Sequence, residues 1–215
     1  MRKIVVIGIG FPDVIRVIEA INKNGKIIDF LGFLDDKEEL QGETYFGYRV
    51  IGKLDWLKDR KDKCYVVSTI AATTEARKLA HKRIINYGAK YTTLIHPDID
   101  ISHSTIGKGV IICEGATIGP NSVIHDHVIV SWNSSIGHDA IIGKFSFIAV
   151  GAAILGHVII GEGVMVGANS ACYPKVRVGD WSTIGMCSSV MNNVPDRATF
   201  VGNPARIIYR KSETY

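Results

Sequence analysis

The chain has 215 residues, of which 47% are apolar and 21% are charged, as is typical of a soluble globular protein with one or two cores. Its 25 Lys and Arg residues against 21 Asp and Glu residues leave a formal charge of only +4, too small a surplus to indicate a nucleic-acid-binding protein. No long uncharged apolar run is present, so the sequence predicts no membrane-spanning helix.

The cysteines and the start of the chain favour a reducing, cytoplasmic environment. Four cysteines are present and none has the CxxC spacing of a zinc ribbon, nor are they dense enough for a disulfide scaffold. The first residues, Met1 to Lys3, run directly into a strand-like stretch, and the cleavage pattern of a secretory signal peptide is missing.

The density of charged residues divides the chain near Pro97. Residues 1–96 carry 17 Lys and Arg and 12 Asp and Glu, whereas residues 97–190 carry only 4 and 7. We therefore expect three segments: a first domain at 1–96, a second at 97–194, and a C-terminal cap at 195–215.

The first segment alternates between strand and helix patterns. Short apolar runs of strand type are separated by stretches with apolar residues at helical spacing. In chain order, the predicted elements are a strand at Lys3–Gly8, a helix at Val14–Asn22, a strand at Ile27–Leu34, a short helix at Lys53–Asp59, a strand at Cys64–Ile70, a helix at Thr74–Tyr87 and a strand at Thr92–Ile95. This alternation predicts a small α/β domain with a parallel sheet, roughly half of a Rossmann-like fold.

From Ile106 onward the sequence repeats every six residues. Fifteen positions spaced six residues apart, from Ile106 to Val190, hold Ile or Val with one exception, Cys172, and we call these positions anchors. Four residues after each anchor, from Val110 to Val194, all fifteen positions hold Ala, Ser or Val, and glycine often follows the anchor. A period of six fits neither a helix nor a plain strand, and it predicts a parallel β-helix built of short strands and tight corners. We expect the glycines to relieve the backbone at these corners.

This repeat resembles the left-handed β-helix of the hexapeptide acyltransferases. The resemblance implies three hexapeptides, or 18 residues, in each coil, and therefore about five coils. Residues 18 apart then lie one strand spacing apart, about 4.8 Å. His138 is thereby placed under Gly156, and Asp139 under His157, in one polar patch outside the core.

This patch has the residue types that acyl transfer from a thioester requires. His138 suits the general base that takes a proton from the acceptor. The backbone N–H of Gly156 suits the oxyanion of the transition state, and Asp139 can orient the imidazole. Whether Asp139 pairs with His138 or with His157 stays open, because neighbouring residues on a strand point to opposite faces.

Two other chemistries fit less well. The β-helical carbonic anhydrases use histidines five residues apart, and no pair of histidines here has that spacing, so we expect no metal. A cysteine nucleophile is disfavoured because Cys172 is an interior anchor and no cysteine of the repeat has an evident histidine partner.

Taken over nearly its whole length, the chain resembles the NeuD/PglD-like sugar acyltransferases. Three stretches carry this resemblance: Phe33–Asp36 ending the second strand, Asn133–Asp139 around the histidine, and Phe200–Arg206 near the C-terminus. The resemblance implies the following site residues. The catalytic residues are His138, Asp139 and Gly156; the cofactor-binding residues are His157, Ala168, Met186, Gly202, Asn203 and Arg206; the substrate-binding residues are Gly8, Gly10, Phe11, Pro12, Asp35 and Asp36.

The sequence departs from that family at three positions. Pro12 and Phe147 stand where the family has histidines, and Asp139 replaces the more usual Glu. By itself the loop after the first strand is only a GxG fragment, at Gly8 and Gly10, which supports a dinucleotide site weakly.

The resemblance implies an N-acetyltransferase that uses acetyl-CoA, without a metal, on a nucleotide-linked amino sugar such as a UDP-4-amino-sugar, in bacterial surface glycan synthesis. It further implies a nucleotide-sugar-binding first domain and a homotrimer with acetyl-CoA between adjacent β-helices. Two alternatives remain: an O-acetyltransferase acting on sialic acid or another surface sugar, and a non-catalytic trimer that binds sugar nucleotides.

Overall fold

The computed structural model describes residues 2–60, 63–70 and 73–210. By its internal contacts the chain divides into two compact units, Met1–Pro97 and Asp98–Tyr215. Residues 211–215 of the predicted C-terminal cap lie outside the described residues.

The first unit is built on a mostly parallel sheet with the strand order β3-β4-β2-β1-β5-β6, in which only the β3–β4 pair is antiparallel. Its elements are β1 (Arg2–Ile7), α1 (Val14–Lys23), β2 (Ile28–Leu34), β3 (Thr44–Tyr45), β4 (Tyr48–Gly52), β5 (Tyr65–Ser68), α2 (Thr74–Asn86), β6 (Lys90–Tyr91) and β7 (Leu94–Ile95). Short 3₁₀ helices span Glu38–Leu40 and Leu54–Leu57.

Both long helices follow from their sequences. The Val and Ile residues of α1 recur at helical spacing and are all buried, which gives the helix one face toward the core. Thr73 caps α2 by accepting a hydrogen bond from the Ala76 N–H at 3.0 Å. The side chain of Thr73 thus fixes the start of α2.

Two local predictions for this unit differ from the structure, and one element of the unit was not predicted. The predicted helix at Lys53–Asp59 is only a four-residue 3₁₀ turn, too short to form α-helical hydrogen bonds. The predicted strand at Thr92–Ile95 instead lies in two pieces, because the pairing with β5 already begins at Lys90. The hairpin of β3 and β4 was not predicted.

The second unit consists of two-residue strands at intervals of six residues. In chain order they are β8 (Thr105–Ile106), β9 (Ile111–Ile112), β10 (Thr117–Ile118), β11 (Val123–Ile124), β12 (Ile129–Val130), β13 (Ser135–Ile136), β14 (Ile141–Ile142), β15 (Phe147–Ile148), β16 (Ala153–Ile154), β17 (Ile159–Ile160), β18 (Met165–Val166), β19 (Ala171–Cys172), β20 (Arg177–Val178), β21 (Thr183–Ile184) and β22 (Ser189–Val190), followed by β23 (Ala198–Val201) and β24 (Arg206–Arg210).

These strands form the three faces of a parallel β-helix. One face is β8-β11-β14-β17-β20, the second is β10-β13-β16-β19-β22, and the third includes β9-β12-β15-β18-β21 and ends with β23 and β24. From β8 to β22, every pair of neighbouring strands is offset by 18 residues, as in Ile136 opposite Ile154. The predicted β-helix with three hexapeptides per coil is confirmed.

The repeat owes its core to the two predicted sets of residues. The small residues that follow each anchor by four positions are all buried. The anchors are buried as well, except Ile106 and Ile118 in the first coil, which are half-buried. The mixture of large and small apolar groups fills the narrow interior of each coil, and the stacked coils share one continuous core.

Each corner is turned by a residue in the left-handed conformation, the third residue after the anchor. These residues are Gly109, Gly115, Asn121, His127, Asn133, Asp139, Phe145, Gly151, His157, Gly163, Asn169, Lys175, Trp181 and Cys187. Most are not glycine, although Asn and Asp tolerate this conformation better than other side chains do. The expectation that the glycines following the anchors relieve the corner is therefore wrong.

Those glycines are required by space instead. A Cβ added to Gly143 would lie 2.4 Å from the carbonyl carbon of Gly161 in the next coil. A Cβ on Gly137 would lie 2.7 Å from the backbone nitrogen of Gly156. Both contacts are shorter than any real Cβ contact, so the coils stack closely only where these positions have no side chain.

We expect Gly143→Ala to lower the free energy of unfolding by about 1–3 kcal/mol, because its methyl group would force two coils apart. At a position with free space, replacement of glycine by alanine would stabilise the protein by about 0.4–1 kcal/mol. The sign of the change in unfolding free energy therefore shows whether lack of space is what requires glycine at position 143. Chemical denaturation measures this difference. His125→Ala is the matched control, since His125 is exposed and occupies the same repeat position one coil earlier.

Candidate active site

A cavity of about 380 Å³ lies at the carboxyl ends of the strands in the first unit. Ile7 at the end of β1, Leu34 at the end of β2 and Ile70 after β5 contribute apolar walls. In a parallel sheet this edge is where ligands of α/β proteins bind. Its largely apolar lining suits a planar ring such as a nucleobase.

The charged groups of this cavity are not equally available to a ligand. Asp36 forms an ion pair with Arg83 of α2, and its Oδ1 also accepts a hydrogen bond from the Leu54 N–H at 3.0 Å. That contact with Asp36 raises the pKa of Arg83. Asp35 accepts a hydrogen bond from the backbone N–H of Lys37 at 3.2 Å. Asp35 therefore has the carboxylate with more remaining acceptor capacity.

The predicted substrate-binding residues fall into two groups. Gly8, Gly10, Asp35 and Asp36 line the cavity. Phe11 and Pro12 do not belong to its lining, and Phe11 is buried in the core. The residues that follow the carboxyl ends of β1 and β2 thus meet around the cavity. Phe11 and Pro12, farther along the loop after β1, lie outside its lining.

In the second unit, His138 and Asp139 form a hydrogen-bonded pair at the corner after β13. The distance between His138 Nδ1 and Asp139 Oδ2 is 2.7 Å. Asp139 has a φ of 57°, in the left-handed region, and this turn brings two consecutive side chains to the same side of the chain. His157 Nδ1 lies 3.9 Å from the same carboxylate oxygen. The pairing left open by the sequence is therefore with His138, and His157 approaches from the next coil.

The hydrogen bond from His138 is the main cause that lowers the pKa of the Asp139 carboxyl group below its usual value. Asp139 is therefore ionised near neutral pH and accepts hydrogen bonds only. An ionised partner favours the tautomer of His138 that holds its proton on Nδ1, which leaves Nε2 unprotonated in the neutral ring.

Gly156 provides the space in which the His138 ring lies. A Cβ on Gly156 would lie 2.6 Å from His138 Nε2 and 2.8 Å from its Cε1. The unprotonated nitrogen of His138 thus faces the backbone of Gly156. Within the described residues, no carbonyl oxygen accepts a hydrogen bond from the Gly156 N–H. A base and an available backbone donor therefore lie side by side, on a half-exposed surface.

The predicted cofactor-binding residues lie elsewhere on the β-helix. Ala168 and Met186 follow β18 and β21 on the third face, at a different corner from His138. The turn containing Gly202 and Asn203 is held against the last coil, since the Gly202 N–H donates to Ser188 Oγ at 3.1 Å. Arg206 begins β24 and is exposed. Of the predicted cofactor residues, only His157 shares a corner with His138.

One group of side chains in the described part of the chain could hold a metal ion by distance alone. Ligand atoms of His138, Asp139 and His157 lie within 4.8 Å of one another. The hydrogen bond between His138 Nδ1 and Asp139 Oδ2 engages one nitrogen and one oxygen of this group. The same hydrogen bond orients the His138 ring as a general base requires.

We expect the carboxyl group of Asp139 to titrate below the usual value of about 3.9, and His138→Ala to raise its pKa, because the main hydrogen bond is lost. The stability that this pair contributes is present above the usual carboxyl pKa and is lost as pH falls through the lowered one. Carbon-13 NMR of the carboxyl groups measures both effects. Asp100, whose pKa is lowered by Ser102, is the internal control and should not move.

None of the helices in the described ranges is long and apolar enough to cross a membrane. Comparison with protein-family models gives no match, and comparison with curated proteins gives none either.

Solved structures match the chain over nearly its whole length. The acetyltransferase domain of PglB from Neisseria gonorrhoeae has a TM-score of 0.85 and 26% identity, and the match covers 97% of this chain and 100% of that one. The same domain in complex with acetyl coenzyme A matches at 28% identity with a TM-score of 0.85, covering 96% and 99%. PerB from Caulobacter crescentus, in complex with CoA and GDP-perosamine, has a TM-score of 0.84 and 24% identity, covering 96% and 97%.

These matches extend through both units, so the likeness is not confined to the repeat. The resemblance inferred from the sequence is thereby confirmed: the chain has the fold of the sugar acetyltransferases with a left-handed β-helix.

Proposed function

We propose that this protein is an acetyl-CoA-dependent N-acetyltransferase that acts on a nucleotide-linked amino sugar, in bacterial surface glycan synthesis. The observation that carries the proposal is the His138–Asp139 pair beside the backbone N–H of Gly156. The likeness to the acetyltransferase domain of PglB, which is solved with acetyl coenzyme A, supports the choice of acyl donor.

The proposed reaction is direct transfer between two bound substrates. The amine of the sugar attacks the thioester carbonyl, a C–N bond forms, and the C–S bond then breaks. His138 Nε2 takes a proton from the attacking nitrogen and returns it to the sulfur, which leaves as the free thiol of coenzyme A. The Gly156 N–H stabilises the negative charge on the carbonyl oxygen, and Asp139 stabilises the imidazolium. No metal takes part.

The nucleotide would bind in the first unit. The apolar cavity accommodates the base, Asp35 accepts hydrogen bonds from ribose hydroxyl groups, and the backbone at Gly8 and Gly10 lies where phosphates would pass. PerB binds GDP-perosamine, a nucleotide-linked amino sugar, which supports this substrate class. For this chain we retain a UDP-4-amino-sugar as the proposed acceptor. The three segments 1–96, 97–194 and 195–215 would then bind the nucleotide sugar, catalyse the transfer and contact coenzyme A.

We infer further that the protein is a homotrimer with active sites between subunits, acting in the cytoplasm. His138 and the pair Ala168 and Met186 lie at different corners of one β-helix. We propose that acetyl-CoA contacts one set on one copy of the chain and the other set on a neighbouring copy. The four cysteines are all free thiols, in keeping with a reducing compartment.

We expect purified protein to release free thiol from acetyl-CoA when a UDP-4-amino-sugar is present, and His138→Ala to lower kcat/KM by about 10²–10⁴-fold through loss of the base. A thiol-reactive dye follows the release. His125→Ala, which changes an exposed histidine at another corner, serves as the control and should keep the full rate.

Retention of most of the activity in His138→Ala would contradict the assignment of the base. Release of thiol with a 4-hydroxy sugar or sialic acid, and none with the 4-amino sugar, would identify an O-acetyltransferase instead. Failure of the protein to bind acetyl-CoA in calorimetry would leave a non-catalytic trimer that binds sugar nucleotides.

We expect Asp35→Asn to weaken the binding of UDP by about tenfold or more, because a charge-assisted hydrogen bond to the ribose is lost. Isothermal titration calorimetry measures the affinity. Asp59→Asn is the control, because it removes the same charge from an exposed carboxylate that lies outside the cavity. Equal affinity in Asp35→Asn and the unchanged protein would remove Asp35 from the binding site.

A further inference from the structure

Three polar residues lie above one another at the corner of the proposed base. Asn121, Asp139 and His157 are spaced by 18 residues, and each is the left-handed residue at this corner of its coil, with φ of 58°, 57° and 60°. The parallel register between β10, β13 and β16 fixes this stack. Their side chains therefore leave the backbone in the same direction, about 4.8 Å apart.

The two oxygens of the Asp139 carboxylate have different partners. Asn121 Nδ2 donates to Oδ1 at 3.4 Å from the preceding coil. On the other oxygen, Oδ2, His138 Nδ1 lies at 2.7 Å, and His157 Nδ1 lies at 3.9 Å from the following coil. The hydrogen bond from Asn121 also helps to lower the pKa of Asp139.

The rings of the two histidines restrict each other as well. His138 and His157 meet edge to face, with 5.0 Å between their ring centroids and an interplanar angle of 86°. A carboxylate at an exposed corner would otherwise rotate freely about its side-chain bonds. Here Asn121 in the preceding coil and His157 in the following coil both face the Asp139 carboxylate.

We propose that Asn121 and His157 are positioning residues that hold the Asp139 carboxylate between them, so that Oδ2 faces His138. This inference rests on the proposed function, in which His138 is the base. In this proposal His157 acts by positioning Asp139, whereas the family resemblance places His157 among the cofactor-binding residues. It also adds Asn121, which belongs to none of the three predicted groups of site residues.

The position of Asn121 allows a substitution that does not strain the backbone. Asn121→Gly removes the amide group and keeps a residue that adopts the left-handed conformation without cost. We expect kcat to fall about five- to tenfold, the effect of one lost hydrogen bond, with KM for acetyl-CoA and for the acceptor unchanged. His103→Gly is the matched control, because His103 is left-handed at the same corner one coil before Asn121.

His157→Gly separates the two roles of that residue. If His157 positions Asp139, kcat falls while KM for acetyl-CoA stays constant, and His157→Asn, which retains a donor, restores much of the rate. If His157 binds the cofactor, KM for acetyl-CoA rises with kcat unchanged. The second result would overturn the positioning role of His157.

Nitrogen-15 NMR of the His138 side chain provides a readout that does not require turnover. We expect neutral His138 to hold its proton on Nδ1 in the unchanged protein, and Asn121→Gly to raise the population with the proton on Nε2. His138→Ala assigns the signal. A tautomer shift in a protein that transfers no acetyl group would keep the positioning role and reject the proposed function. An unchanged tautomer together with an unchanged kcat in Asn121→Gly would overturn the positioning role of Asn121.

Discussion

The 18-residue register of the β-helix is the constraint on which the second unit depends. A coil can bury its anchors only when its strands pair with the strands 18 residues before and after it, and one missing residue would turn apolar side chains outward. The same register that builds the core also stacks polar residues at the corners. Asn121, Asp139 and His157 meet for the same reason that Ile118, Ile136 and Ile154 do.

The left-handed corner supplies the second part of the site's geometry. Consecutive residues in a strand face opposite sides, so His138 and Asp139 could not hydrogen-bond within a strand. With Asp139 turned to a φ of 57°, His138 and Asp139 form the hydrogen-bonded pair that we propose as the base and its orienting carboxylate. The left-handed conformation costs energy in a residue other than glycine. Here it holds the imidazole of His138 in a fixed orientation, and such strained residues are common at functional positions.

The sequence predicts the β-helix well because each coil repeats the same pattern of burial, and fifteen repetitions outweigh any local ambiguity. It predicts which residues stack, since 139 plus 18 is 157, and the same arithmetic in the other direction would have found Asn121. It does not predict the His138–Asp139 pairing, which depends on one backbone angle. The glycines after the anchors were misread because a periodic pattern shows where glycine stands and not whether conformation or space requires it. The hairpin of β3 and β4 was missed because Phe46, which is left-handed in its turn, gives none of the usual Asn-Gly signal.

The uniform coil also limits how such a protein can change in length. The polar stack takes one residue from each of three consecutive coils, from Asn121 to His157. Loss or gain of a few residues inside that stretch would separate the Asp139 carboxylate from Asn121 or from His157, even where the chain still folds. Addition or removal of a whole coil beyond Lys175 would leave the stack intact and change only the distance from the base to the C-terminal turn. In the proposed function, the length of the β-helix after His138 would set how far a bound acyl donor must extend to reach the C-terminal turn.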